Sequence, residues 1–231
     1  MASKNNQPSA PSTVSEFASL PHQQNTWLKL FLLFAFASGT LAHLLPAVLP
    51  VTRYTTDPLL LVINGLLLYT IYQQNHDQRI WFWVTGAYIF TFFVEAAGVA
   101  TGAIFGEYHY GATMRWQWLG VPFVIAFNWV VLTLAANHLA LKISKSPWIA
   151  SALAGITLAL YDVVIEPVAI ALDYWQWEAG SIPTQNYLAW ALVAFLISLP
   201  LHFLKIRFRT EVLTVYFFAQ LFFFLVLCFA L

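Results

Sequence analysis

The sequence predicts an all-α polytopic membrane protein of about seven transmembrane helices, with its N-terminus in the cytoplasm. Three observations predict this class. Of the 231 residues, 60% are hydrophobic and only 9% charged, whereas a soluble domain carries about 25% charged residues. Seven stretches each approach the roughly 20 apolar residues needed to cross a bilayer. The ten Lys and Arg residues also fall unevenly once successive loops are assigned to alternate sides.

Residues 1–26 are rich in Ser, Pro, Asn and Gln, offer no apolar face, and are expected to form a disordered tail. No short apolar h-region or cleavage site precedes the first apolar run, so a signal peptide is not expected and the first span is read as retained. Residues 27–231 then form a single transmembrane helical domain. The expected spans are 27–47, 58–73, 80–105, 120–142, 147–172, 186–204 and 211–231, the second being the shortest. Alternating direction puts Lys4, Lys29, Arg79, Lys142, Lys145, Lys205, Arg207 and Arg209 on the side of the N-terminus. Only Arg53 and Arg115 fall opposite. That bias places the N-terminus inside and the C-terminus outside a cell membrane crossed several times.

Composition excludes several function classes. Zero net charge gives no support to a nucleic-acid partner. The single cysteine, Cys228, leaves neither an intrachain disulfide nor a thiol metal site. A retinal protein requires a lysine buried in its seventh helix, and the last span, VLTVYFFAQLFFFLVLCFAL, has none. Of the histidines, His138 and His202 lie near cytoplasmic span ends, His22 and His76 lie outside the spans, and His109 is in an outer loop. They leave His43 without a partner at matched depth for a bis-histidine haem. No HExxH and no phosphate-binding glycine loop occurs. No metal or cofactor is expected.

Orientation converts sequence position into depth, at about 1.5 Å per residue. Glu95, Asp162, Glu166 and His43 then lie beyond the midplane, and Asn64 and Asn128 lie a short way in from the outer ends of spans two and four. Carboxylates in hydrocarbon cost at least a few kcal/mol and are seldom incidental. Six polar side chains from five helices at one level point to a shared cavity. Asp162 and Glu166 in LYDVVIEP are four apart and share a helix face. Two neighbouring carboxyls in low dielectric do not readily both ionise, so one is expected to keep the proton a general acid needs. Pro167 is expected to bend the helix beside them. Asp173, Trp175 and Trp177 continue that side outward. In EAAGVATGAIFGEYHYG, Gly98, Gly102 and Gly106 recur at every fourth position, which predicts a small-residue ridge that turns Glu95 toward a partner helix. The outer loops are dense in Trp and Tyr, as in an interfacial belt, although aromatic faces beside an acid can also stabilise a carbocation.

The blocks EAAGVATGAIFGEYHYG, GVPFVIAFNWVV at 120–131 and YDVVIEPVAIALDYWQWE at 161–178, followed by IPTQNYLAW, resemble the membrane carotenoid 1′,2′-hydratases. That family includes the γ-carotene 1′-hydroxylases and bisanhydrobacterioruberin hydratases. The likeness runs from about residue 80 to 200. Where family members often carry Gly–Pro before the last Asn of the motif, this chain has Ile182–Pro183. Carried over by position, the polar motif residues are Glu95, Asn128, Trp129, Asp162, Glu166, Asp173 and Asn186. The resemblance implies cofactor-independent hydration of the terminal C1=C2 bond of a ψ-end group in lycopene, γ-carotene or a longer acyclic carotenoid. It also leaves room for contact with membrane lipid and with other enzymes of carotenoid biosynthesis. The expected catalytic groups are Asp162, Glu166 and Glu95. Asn128, Trp129, Asp173, Asn186, His43, Asn64 and Tyr161 are candidates to position substrate or water. A lycopene-type cyclase would use the same protonation without admitting water. A proton-coupled transporter would use the acids as a relay, and a structural scaffold would use them for nothing chemical.

Overall fold

The computed structural model describes residues 20–231, with side chains from residue 25 onward. Seven long helices follow one another: α1 (Leu20–Leu44), α2 (Leu49–Asn75), α3 (Arg79–Thr101), α4 (Phe123–Ile143), α5 (Pro147–Ala171), α6 (Thr184–Phe203) and α7 (Glu211–Ala230). All seven are long and apolar enough to cross a membrane. The expected tail, residues 1–26, lies outside the described residues as far as residue 19, and α1 is helical from Leu20. The side chain of His22 also lies outside them.

Local chemistry sets the helix ends. Pro147 opens α5 at its first position, where the missing N–H costs nothing. Thr210 caps α7 by accepting from the Val212 N–H at 3.3 Å. Helix α2 is longer than the span expected at 58–73, because it runs through Pro58 from a start at Leu49. Asn64 therefore lies near the middle of its helix rather than near the outer end. Helix α5 is likewise continuous through Pro167.

The glycine ridge is not formed. Helix α3 stops at Thr101, where Gly102 takes a left-handed φ of 63°. Gly106, at φ 116°, lies in the following loop. The spacing of four reflects a helix stop and a turn rather than one helix face.

Helix α4 is the hub. Of its apolar window 78% is buried inside the protein, against 28% for α1. Helices α5 and α6 pack closely, and a Cβ at Gly155 would come within 2.5 Å of the Ala191 carbonyl oxygen. The outward surface carries large apolar side chains such as Phe34, Phe82, Leu160 and Phe222, as lipid contact requires.

Four short strands lie between helices: β1 (Tyr108–Tyr110), β2 (Gln117–Trp118), β3 (Val121–Pro122) and β4 (Trp175–Trp177). Strands β2 and β3 form a small hairpin before α4. Strands β1 and β4 come from different loops and pair antiparallel, with Tyr108 opposite Trp177 and Tyr110 opposite Trp175. This ribbon closes one end of the bundle.

Candidate active site

Side-chain alternation along a strand sends every second residue to the same face. In the β1–β4 ribbon that rule turns Tyr108, Tyr110, Trp175 and Trp177 toward the bundle, while the His109–Gln176 pair faces away. His109 instead meets Glu178 on the exposed side at 2.7 Å.

Each strand serves one buried carboxylate. Glu95, on the last turns of α3, accepts from Tyr108 Oη at 2.5 Å and Tyr110 Oη at 2.9 Å on Oε2, and from Trp129 Nε1 at 2.7 Å on Oε1. Glu166, on α5, accepts from Trp175 Nε1 at 3.0 Å and Trp177 Nε1 at 2.9 Å on Oε2. Its Oε1 accepts from Asn186 Nδ2 at 3.1 Å. Three donors per carboxyl answer the cost of burying these groups, which are 3% and 1% exposed. Burial, and then the neighbouring Glu95, push the Tyr108 and Tyr110 hydroxyls well above their ordinary titration range. Both therefore keep the protons they donate.

Both carboxylates line one cavity, to which all seven helices contribute a wall. The space open to the centres of water-sized occupants is about 110 Å³, where a single water needs about 10–15 Å³. The walls are mainly apolar and aromatic, including Phe36, Ile63, Leu132 and Phe223 with the ribbon aromatics. Trp129 and Trp190 stack there with centroids 4.1 Å apart.

The other sequence candidates divide. Asn128 lines the cavity, and its Oδ1 accepts from Asn64 Nδ2 at 3.0 Å, which leaves its own amide N–H groups for the cavity side. Asn186 and Trp129 also line it, as does His43, whose Nδ1 is bound to the Gly39 carbonyl at 2.7 Å. Asp162 stands behind this wall, fully buried, with Oδ2 accepting from Asn186 Nδ2 at 2.5 Å. One amide group thus ties Asp162 to Glu166.

Asn64 is fully buried and meets the cavity wall through Asn128 without lining the cavity itself, and two further candidates lie elsewhere. Tyr161 is buried against Phe217 and does not line the cavity. Asp173 is a loop brace: its Oδ2 accepts from the Ala112 N–H at 3.1 Å and its carbonyl from the Thr113 N–H at 3.3 Å. It fastens the loop after β1 to the end of α5.

Sequence reasoning placed Tyr108 and Tyr110 among the outer-loop aromatics, as an interfacial belt or as faces for a carbocation, and missed them as donors to Glu95, although alternation in EYHY was a signal for a strand with both on one face. It passed over Gln220, buried in α7 and lining the cavity with Oε1 unpartnered. A lone Gln in an apolar run carries no mark of what it faces. It also passed over Asp57, which accepts from the Arg115 and Trp116 N–H groups and seats the β2 approach on α2.

Comparison with known proteins bears on this geometry. A bisanhydrobacterioruberin hydratase from Haloarcula japonica is 32% identical over 126 residues, covering 50% of this chain and 42% of the relative. The chain thus spans less than half the length of that relative. No solved structure matches this chain. The carotenoid biosynthesis protein family matches residues 56–231, which include every helix from most of α2 onward and both carboxylates. On that match, the chain belongs to the carotenoid biosynthesis protein family.

Proposed function

We propose that the protein hydrates the terminal C1=C2 double bond of an acyclic carotenoid ψ-end group. The observation that carries this reading is the pair of carboxyls, Glu95 and Glu166, facing one apolar cavity beneath a ribbon of aromatic side chains. An acyclic carotenoid is a long apolar rod, and a cavity set among seven apolar helices suits one of its ends. The relative named a bisanhydrobacterioruberin hydratase, 32% identical over 126 residues, supports the assignment.

In this reading Glu166 gives its proton to C2 and leaves a tertiary cation at C1. The different surroundings of the two acids favour this division of roles. Asp162 and Glu166 are both held by the Asn186 amide and do not readily both ionise in low dielectric, so this pair keeps the proton that Glu166 gives. Glu95 takes three hydrogen bonds, from Tyr108, Tyr110 and Trp129, with no second carboxyl bound to the same donor, which favours the ionised form that a base needs. A water ordered by the free amide of Asn128 attacks C1, and Glu95 takes its proton. The sum is one water added across one double bond, with no oxidation and no cofactor. The aromatic faces stabilise the cation while it lasts. Asp162 acts through Asn186, as a positioning group for Glu166.

The test is carotenoid profiling by mass in a lycopene-producing host. Hydration adds about 18 mass units for each end that reacts, as one water must. Wild type should give hydrated product and Glu166→Gln should lower it by about 10²–10⁴-fold. A product of unchanged mass with a ring would assign a cyclase instead. Uptake driven by a pH gradient with unchanged carotenoids would assign a transporter.

A further inference from the structure

At the end of the bundle away from the ribbon, the α6–α7 turn forms a second concavity together with the ends of α4 and α5. It offers about 280 Å³ to water-sized centres and is lined by Lys145, Lys205, Arg207 and Arg209, with His202 and Asn75. Leu141, Leu201, Ile206 and Phe208 supply an apolar floor. Among the described residues no carboxylate lines it.

The nearby acids are already engaged. Asp77 accepts from Arg79 Nε at 2.9 Å, from Arg79 Nη2 at 2.8 Å and from the Arg207 N–H at 2.9 Å. Glu211 pairs with Lys142 at 3.1 Å. The turn itself is fastened: Arg79 donates to the Leu204 and Lys205 carbonyls, and Asn75 to the Arg209 carbonyl. Among the described residues Lys145 Nζ donates only to the Leu141 carbonyl, at 2.6 Å. Four cations thus rim one fixed hollow with an apolar floor, at the level where the helices end.

We propose that this hollow binds the phosphate of an anionic phospholipid headgroup. The cations match a phosphodiester, and the apolar floor matches the acyl chains that a free phosphate lacks. Basic pockets between transmembrane helices take anionic headgroups for this reason. The assignment is independent of the reaction proposed above, and it is read on the resting protein without carotenoid.

The experiment measures thermal stability and lipid binding of the full chain in neutral detergent. Phosphatidylglycerol, phosphatidylcholine and inorganic phosphate are titrated separately at fixed salt. Phosphatidylglycerol should raise Tm, while the other two leave it unchanged. Lys205→Gln, Arg207→Gln and Arg209→Gln combined should weaken phosphatidylglycerol binding about 100-fold, from roughly fivefold for each cation near the surface. Should the combined variant fail to fold, Arg209→Gln and Lys145→Gln alone carry the comparison, at about fivefold each. Lys142→Gln removes a charge from the same end but outside the hollow, and should leave binding within about twofold, since its partner is Glu211. Equal stabilisation by phosphatidylcholine or by inorganic phosphate would overturn the proposal. So would a Lys142→Gln effect as large as that of Arg209→Gln.

Discussion

Glu166→Gln tests chemistry with little change in shape. The amide oxygen can take the place of Oε2 and accept both indole N–H groups, while the NH₂ replaces the oxygen that accepts from Asn186 Nδ2 and that one hydrogen bond is lost. Loss of the transferable proton should lower hydrated product by about 10²–10⁴-fold. The purified variant should still give a cooperative melt. Asp162→Asn should cost less, because Asp162 touches Glu166 only through Asn186. Product yields from the two variants in one host check the order. An Asp162 variant as inactive as the Glu166 variant would move the acid one turn along α5. Tyr108→Phe removes one of the two hydroxyl donors on Glu95 Oε2. Product should fall while carotenoid retention by the purified protein stays near wild type.

Two loop elements carry the site. Strands β1 and β4 each bring two aromatic donors to one carboxylate, and they depend on Gly106, whose φ is 116°. A Cβ there would come within 2.5 Å of Pro183 Cγ. Gly106→Ala should therefore lower Tm and hydrated product together, whereas Gly180→Ala, with open space around its Cβ position but φ 66°, should lower product little. On the other end, the α2–α3 turn depends on Asp77. Hydrogen bonds from Arg79 hold the Asp77 carboxyl well below the usual carboxylate range, and the Arg207 N–H adds to this. A carboxyl titrating lower in the folded protein than in the unfolded chain stabilises fully above its unfolded value, near 3.9, and loses that contribution as pH falls toward its folded value. Stability should thus decline on acidification below about pH 4, and Asp77→Asn should flatten that part of the profile. Melting temperatures of both proteins across the acid range check the sign.

For the whole molecule, the ribbon with Arg53 and Arg115 occupies one end and the basic turn with Lys145, Lys205, Arg207 and Arg209 the other. The charge bias predicts that the ribbon end faces outward. In a Cys228→Ser background, a membrane-impermeant maleimide should label Ser181→Cys on intact cells, and should label Lys145→Cys only after lysis. The reverse pattern would invert the orientation.

Much of this architecture was legible in the sequence because hydrocarbon imposes its demands segment by segment. Twenty apolar residues satisfy their backbone only as a helix, so seven spans could be read one at a time. Glu95 and Glu166 stood out because a charge in such a segment is rare. The antiparallel pairing of β1 with β4 was not legible, since it joins loops more than sixty residues apart and no local pattern encodes that register. The same limit explains the misread glycines: a spacing of four suits a helix face as well as a helix stop followed by a turn. It also explains why Asp162 and Glu166, equivalent on one face of α5, end in different places. Composition and periodicity determined the helices, the absence of a retinal lysine and the carboxyls worth attention. Only tertiary packing decided that Glu166 borders the cavity while Asn186 screens Asp162 from it, and that Asp173 braces a loop instead. Burial and hydrogen-bond partners arise between segments, and a single segment does not contain them.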